Sequence, residues 1–406
     1  MSWYNSNWKY RVKITVDKDK VGSTLTDFPV YVDLSTLPSG FHSNVKNDGG
    51  DIRVTRSDGT TECPREVVFY DATNDKGELH FKANSLSSTS DTDFYIYYGN
   101  ANASDYSTDA TYGTENVWTE YKAVWHSGDA STTTSLDSTS NGNDLDKKGS
   151  EEPEEVMGKM GKAQHYDGYD DYLNCDSLSG VSDTHTVSAW IRADSLTAQY
   201  SDHTTHGFTI FADDPGYPNG YPVWLTVMTN GKLNLRSYQL STTGTQTTTS
   251  QISIETWYLV TVTATKNGTS RLYVNGSQVL SFSNNNEATW ASNFRIGELR
   301  PNRKIVFDGI IDEVRVASNI KSADWISAEY TNQNSPTTFY TAGSQESGST
   351  EANSSRGLYI QGRNSGSSAR GLYLEGASEQ VEGWYNSNWK YRVKITVDHS
   401  KVGSDL

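Results

Sequence analysis

The chain is 406 residues long, enough for two or three domains, and carries a formal charge of −16. That acidity excludes a nucleic-acid or anionic-membrane partner, because binding phosphate needs clustered Lys and Arg. Only 34% of the residues are hydrophobic, so the 11 Trp and 25 Tyr must supply much of any core. No apolar run approaches the ~20 residues of a membrane span, so no insertion is expected. The N-terminal sequence lacks the apolar core of a signal peptide: either export does not follow the usual route or a leader is missing. Cys63 and Cys175 have no metal spacing and are read as unpaired thiols.

In chain order, Tyr10, Val12, Ile14 and Val16 alternate with charged and polar residues, the period of a half-buried strand. Five more short strands follow: Phe28–Val32, Asp51–Thr55, Glu66–Tyr70, Gly77–Lys82 and Asp93–Asn100. Separated by Gly, Asn and Asp turns, they predict an antiparallel sandwich over residues 1–116. A second domain, 117–343, opens with Ala123–His126 and a polar loop, Ser127–Gly149. Its strands are expected at 185–191, 208–211, 223–227, 232–236, 257–263, 293–297 and 311–316, with a hairpin turning at Asn275-Gly276. One short helix, capped by Ser322, runs to Tyr330. This many strands predict a jelly roll of two large sheets. Residues 344–383 are Ser/Gly-rich and are expected to be a flexible linker, within which Arg356-Gly357-Leu358-Tyr359 recurs as Arg370-Gly371-Leu372-Tyr373. These two runs are either weak strands in a tether or strands that pair with an edge.

Residues 3–17, WYNSNWKYRVKITVD, recur letter for letter at 384–398. Residues 384–406 are therefore a partial copy of the first strand, as in a tandem array of whole domains. They either begin a further domain or replace the first strand of a neighbouring subunit, giving head-to-tail self-association.

The second domain resembles the laminin-G-like domains of the concanavalin A-like lectin/glucanase superfamily. The resemblance rests on Ala123–His126, Asp137–Leu145, Gly161–Gly168, Asp170–Leu173, Val187–Ile191, Trp257–Val260, Arg271–Gly276 and Phe307–Val316. The first domain, from Trp3-Tyr4 to Tyr97-Tyr98-Gly99-Asn100-Ala101, resembles an uncharacterised all-β domain that precedes laminin-G-like domains in bacterial, archaeal and phage surface or virion proteins. The fold class is accordingly all-β: a β-sandwich followed by a larger concanavalin A-like jelly roll.

The resemblance implies carbohydrate binding and one calcium ion. Asp137, Asn143 and Asp312 are the expected oxygen ligands; the alternative is an Asx-rich turn bonding its own backbone. Asp170-Asp171 is a lesser metal candidate, better read as a solvated turn. Tyr217, Tyr221, Trp290 and Arg300 lie in polar loops and are the expected ligand-binding residues; the alternative is that these aromatics pack on the sandwich rim. Glucanases of this superfamily use a Glu-x-Asp-x-x-Glu strand, which is lacking here. Asp312 and Glu313, as strand neighbours, would face opposite ways. His and Cys form no expected metal or nucleophile set. The expected function is non-catalytic adhesion to a surface glycan or host receptor, on a virion or cell surface. A structural spacer or head-to-tail fibre subunit is the alternative, and a glycoside hydrolase the remote one.

Overall fold

The computed structural model describes residues 2–348 apart from 132, 150–151, 179, 214–221, 238–245, 285–289, 291–292 and 300–303. Met1–Gly348 is one compact unit. The Arg-Gly-Leu-Tyr pair, most of the expected linker and the partial copy at 384–406 lie outside the described residues.

The first sandwich is built from β1 (Tyr10–Val16), β2 (Phe28–Asp33), α1 (Ser39–His42), β3 (Arg53–Arg56), β4 (Glu62–Cys63), β5 (Arg65–Asp71), β6 (Lys76–Ala83) and β7 (Thr92–Tyr98). β1, β7, β3 and β4 lie side by side in one sheet, and β2, β6 and β5 form the other. All six strands expected from the alternation are present. The reason is visible in β1, where Val12, Ile14 and Val16 are at most 1% exposed and join Val30, Val32, Leu79, Phe81 and Ile96 in one core. Leu79 and Phe81 point into that core, so their β6 neighbours Glu78 and His80 point away from it. Cys63 and Cys175 are buried and unpaired, as expected.

The jelly roll follows as β8 (Ala123–Trp125), β9 (Asp129–Ser131), β10 (Thr134–Ser135), β11 (Leu145–Lys148), β12 (Glu154–Met157), β13 (Lys162–Asp167), β14 (Tyr172–Cys175), β15 (Thr184–Ala193), α2 (Ser201–His206), β16 (Phe208–Asp213), β17 (Val223–Val227), β18 (Lys232–Arg236), β19 (Gln246–Gln251), β20 (Tyr258–Thr265), β21 (Thr269–Val274), β22 (Ser277–Ser283), β23 (Phe294–Ile296) and β24 (Asp308–Ala317). One sheet of nine strands runs β19-β18-β17-β16-β23-β14-β11-β10-β9. The other runs β12-β13-β24-β15-β20-β21-β22, with β8 also paired to β24. Asn275 and Gly276 take φ of 51° and 77°, the left-handed pair that a type I′ hairpin needs. β9, β10 and β11 occupy the stretch expected to be a polar loop. Such strands, like β19 (QTTTSQ), carry too few apolar residues to alternate, and their pairing comes from the sheet beside them.

The end of the unit returns to its beginning. α3 (Ala323–Asn334) starts with Ser322 Oγ accepting from the Trp325 N–H at 3.1 Å, the expected cap. α4 (Pro336–Phe339) leads into β25 (Tyr340–Ser347), which pairs antiparallel with β1 from Tyr340↔Val16 to Tyr10↔Ser347. The expected boundary at residue 343 is thereby corrected: β25 completes the first sandwich's sheet, in the order β25-β1-β7-β3-β4. Its sequence, YTAGSQES, gave no strand signal because an edge strand is held by backbone hydrogen bonds. α3 is tied in as well. Asn332 accepts from Tyr31 N and donates to Tyr31 O, each at 2.8 Å, and Trp325 packs on Phe28 at 4.9 Å. Ala317, Trp325, Phe339 and Tyr340 belong to the same core as Val12. Residues 1–116 alone therefore lack part of their own core. A chain cut after Asn116 is expected to lose cooperative unfolding in urea, whereas 1–348 unfolds in a single transition followed by Trp fluorescence. A sharp transition with an unchanged midpoint in the short chain would contradict this. Tyr340→Ala in the long chain is expected to cost about 3–5 kcal/mol.

Candidate functional site

The densest set of reactive side chains lies where the two sandwiches meet. β6 supplies Glu78 and His80, which share a strand face, and β5 places Glu66 opposite His80. From the jelly roll come His126, directly after β8, and Asp312, Glu313 and Arg315 on β24. All are at most 7% exposed. His126 is held from both sides: Nε2 lies 3.1 Å from Glu66 Oε2, and Nδ1 contacts Glu313 Oε1 and lies 3.4 Å from Glu78 Oε1. His80 Nε2 is 2.8 Å from the same Glu78 oxygen, and the two imidazoles stack at 5.0 Å. Glu66 accepts from Trp118 Nε1 at 2.5 Å and from Ser138 Oγ at 2.8 Å. Glu313 Oε2 accepts from Arg315 at 2.6 and 3.1 Å, and Arg315 also donates to Glu329 at 3.0 Å.

A β-bulge makes this arrangement possible. On β15, Ser188 opposes Arg315 and Trp190 opposes Asp312, so Ala189 on one strand faces two residues on the other. Glu313 takes φ of 51°, an uncommon conformation for a glutamate, at the extra position. The register slips by one, and Ile311 and Val314 both point into the jelly-roll core. Asp312 and Glu313 then both lie off that core. This corrects the expectation that they face opposite ways, and equally the expectation that His residues join no set of potential metal donors.

The electrostatics follow from burial and neighbours. Burial alone would lower the His126 pKa, but Glu313 and Glu66 outweigh it and hold the value well above the ordinary one. Burial would raise Glu66 and Glu313, yet His126 brings both below the usual carboxylate range, Arg315 also helping at Glu313. Burial lowers His80. Burial and the adjacent Glu313 raise Asp312 well above an ordinary aspartate.

The expected calcium ligands do not gather into one site. Asp137 accepts from the N–H groups of Val124, Thr139 and Asn143 and from the Thr139 hydroxyl, at 2.8–3.0 Å. The Asn143 amide donates to Lys122 O at 2.7 Å. This is the Asx-turn alternative, with the carboxylate oxygens already engaged. Asp312 sits in another neighbourhood, accepting from Lys159 N and Met160 N at 2.8 and 3.0 Å. Trp290 is half-buried, stacks on Phe294 at 6.0 Å and donates from Nε1 to Leu178 O at 3.2 Å, so it packs on the rim. Tyr217, Tyr221 and Arg300 lie outside the described residues.

Among the described residues, two groups of acidic and imidazole side chains bring donor atoms close enough to hold a metal ion: Glu78, His80, His126 and Glu313, and Asp167, Asp170 and Asp171. Asp171 is 4% exposed, which corrects the expectation of a solvated turn there, and burial beside Asp167 and Asp170 pushes its pKa up to about 6. Close by, Glu298 is 1% exposed, neither carboxylate oxygen has a hydrogen-bond partner, and burial pushes its pKa up to about 7. A carboxylate raised in the fold costs stability once it ionises. The cost is absent below the unfolded value of ~4.3 and complete above about 7. Glu298→Gln is therefore expected to stabilise the protein by roughly 2 kcal/mol at pH 8 and by almost nothing at pH 4. Urea unfolding at the two pH values measures this, and an equal effect at both would refute it.

Comparison with known proteins covers both sandwiches. Residues 167–327 match the family described as the concanavalin A-like lectin/glucanases superfamily, and residues 48–139 match a domain of unknown function, DUF2341. No curated protein matches the chain. Among solved structures, domain 4 of the extracellular arabinanase AbnA from Geobacillus stearothermophilus, in complex with arabinotriose, is 18% identical with a TM-score of 0.38, over 51% of this chain and 97% of that one. The binding domain of Paraclostridial Mosquitocidal Protein 1 is 15% identical with a TM-score of 0.41, over 52% of each chain. The botulinum neurotoxin serotype D ligand-binding domain in complex with N-acetylneuraminic acid is 15% identical with a TM-score of 0.39, over 53% of this chain and 51% of that one. The chain thus spans only about half the length of the toxin domains it matches. No helix among the described residues is long and apolar enough to cross a membrane. The chain carries a domain of the concanavalin A-like lectin/glucanases superfamily at residues 167–327, preceded at residues 48–139 by a domain of the DUF2341 family.

Proposed function

We propose that the protein is a non-catalytic binding module of a virion or cell surface, one unit of a tandem array, and that it holds a surface glycan or host receptor. The carrying observation is the gathering of loop anchors at one end of the nine-stranded sheet. Asp213, the last residue of β16, faces both Val223 at the start of β17 and Phe294 at the start of β23. Its carboxylate accepts from Asn293 N at 3.0 Å, which fixes the approach to β23. Cys175, closing β14, sits beside Phe294, and Arg236, closing β18, sits beside Trp224. The chain segments carrying Tyr217, Tyr221 and Trp290 therefore leave from or return to this one end. Loops grouped on a rigid sheet end are a common way to build a recognition surface, and exposed Tyr rings stack on sugar faces.

Two further observations support the reading. The side chains suited to acid–base chemistry, His80, His126 and the glutamates around them, are buried in the seam and meet no polymer substrate. β1 has β7 on one side and β25 on the other, so the chain's own strand fills the place whose sequence recurs at 384–398, as a repeated whole domain requires. A glycan array probed with the full chain is expected to give binding that falls at least tenfold, about 1.4 kcal/mol, in the Tyr217→Ala/Tyr221→Ala double variant. Sugar release from a polysaccharide panel is expected to stay at background. Binding indifferent to both tyrosines, or none to any surface glycan or receptor, would end the proposal.

A further inference from the structure

We infer that Glu78, His80, His126 and Glu313 form a structural site for a divalent first-row transition metal, with zinc the best fit, and that the ion pins the two sandwiches together. One donor atom from each residue lies within 4.8 Å of the other three. Glu78 Oε1 is 2.8 Å from His80 Nε2 and 3.4 Å from His126 Nδ1, and Glu313 Oε1 contacts that same nitrogen. Tetrahedral coordination at ~2.0–2.1 Å places donors about 3.3 Å apart, so small outward movements would seat an ion. Two imidazoles and two carboxylates are a donor set suited to zinc, whereas calcium and magnesium favour oxygen alone.

The surroundings match those of a metal site. A ligating imidazole usually turns its second nitrogen to a carboxylate, and His126 Nε2 faces Glu66 at 3.1 Å. Glu66 is in turn fixed by Trp118 and Ser138. The second oxygen of Glu313 is fixed by Arg315. Glu78 Oε2, the second oxygen of a proposed ligand, has no hydrogen-bond partner although Glu78 is 1% exposed. Buried polar atoms are rarely left so. Charge argues the same way. Three carboxylates surround the imidazoles, and the guanidinium that answers Glu313 is shared with Glu329. A divalent cation neutralises this surplus where water is excluded. Glu78 and His80 belong to the first sandwich, while His126 and Glu313 belong to the jelly roll, so the ion would crosslink them. The strained backbone at Glu313 is what delivers the fourth ligand.

The test uses the full chain, stripped with a chelator, loaded with zinc and desalted. Elemental analysis is expected to find one zinc per chain, and the thermal midpoint is expected to rise on loading. Cobalt loading is expected to give the visible absorption of a tetrahedral ion. Glu78→Gln, close to isosteric, is expected to abolish that absorption, and Glu66→Gln to weaken zinc binding about 10–100-fold. Glu154→Gln, exposed on β12 and outside both groups, should leave both unchanged. Circular dichroism identifies any variant that fails to fold, and the stripped wild type then carries the comparison alone. Two results would overturn the inference: no retained zinc with the same midpoint in chelator and in zinc, or undiminished binding in both glutamate variants. Either would mean that protons alone balance the seam.

Discussion

His126 lies between Glu66 of one sandwich and Glu313 of the other, and the joint between the two depends on that contact. Carboxylates taken out of water must be met by positive charge or donated hydrogen bonds, and Glu66 of the first sandwich finds them in His126 and Ser138 of the jelly roll, whereas Glu313 is met within the jelly roll by His126 and Arg315. The first sandwich alone cannot satisfy Glu66 in this way. Arg315, Trp118 and Ser138 extend the network, so separating the sandwiches would strip Glu66 of His126 and Ser138. Breaking such a network from one side costs about 3–5 kcal/mol, because the remaining charge stays buried.

The chain path reinforces the joint. β25 and α3 come after the jelly roll in sequence, yet they finish the first sandwich's sheet and core. A sandwich whose last strand lies some 330 residues beyond its first is held by strongly non-local contacts. Loops at the end of the nine-stranded sheet are presented by a unit whose two parts are held by apolar packing, backbone pairing and charge together. Such a platform holds the strand ends at fixed spacing.

Much of the fold was legible in the residues. The period of two in β1, β6 and β7, the Asn275-Gly276 hairpin and the Ser322 cap each follow from local chemistry, and each is present. The strands that went unread, such as β19 and β25, are polar. Their place is decided by a neighbour's unpaired backbone, which no local pattern records. The candidate sites were less legible. Asp137 and Asn143 were rightly seen to share a loop, but their oxygens and amides answer backbone groups that only the folded chain brings near. Glu66, Glu78, His80, His126 and Glu313 span nearly 250 positions, and no spacing rule links them.

By itself, the sequence determined the all-β class, the division into two sandwiches, the superfamily of the second and the duplication of the first strand. The class, the division and the duplication depend on alternation, turn residues and repetition, and the superfamily on a resemblance carried by short motifs, all written within short stretches. The tertiary structure alone decided which sheet receives the last strand, which way Asp312 and Glu313 point, and that two histidines and three glutamates share one buried seam. A one-residue bulge reverses the facing of every residue beyond it, and pairing between distant strands brings together groups that the chain keeps far apart.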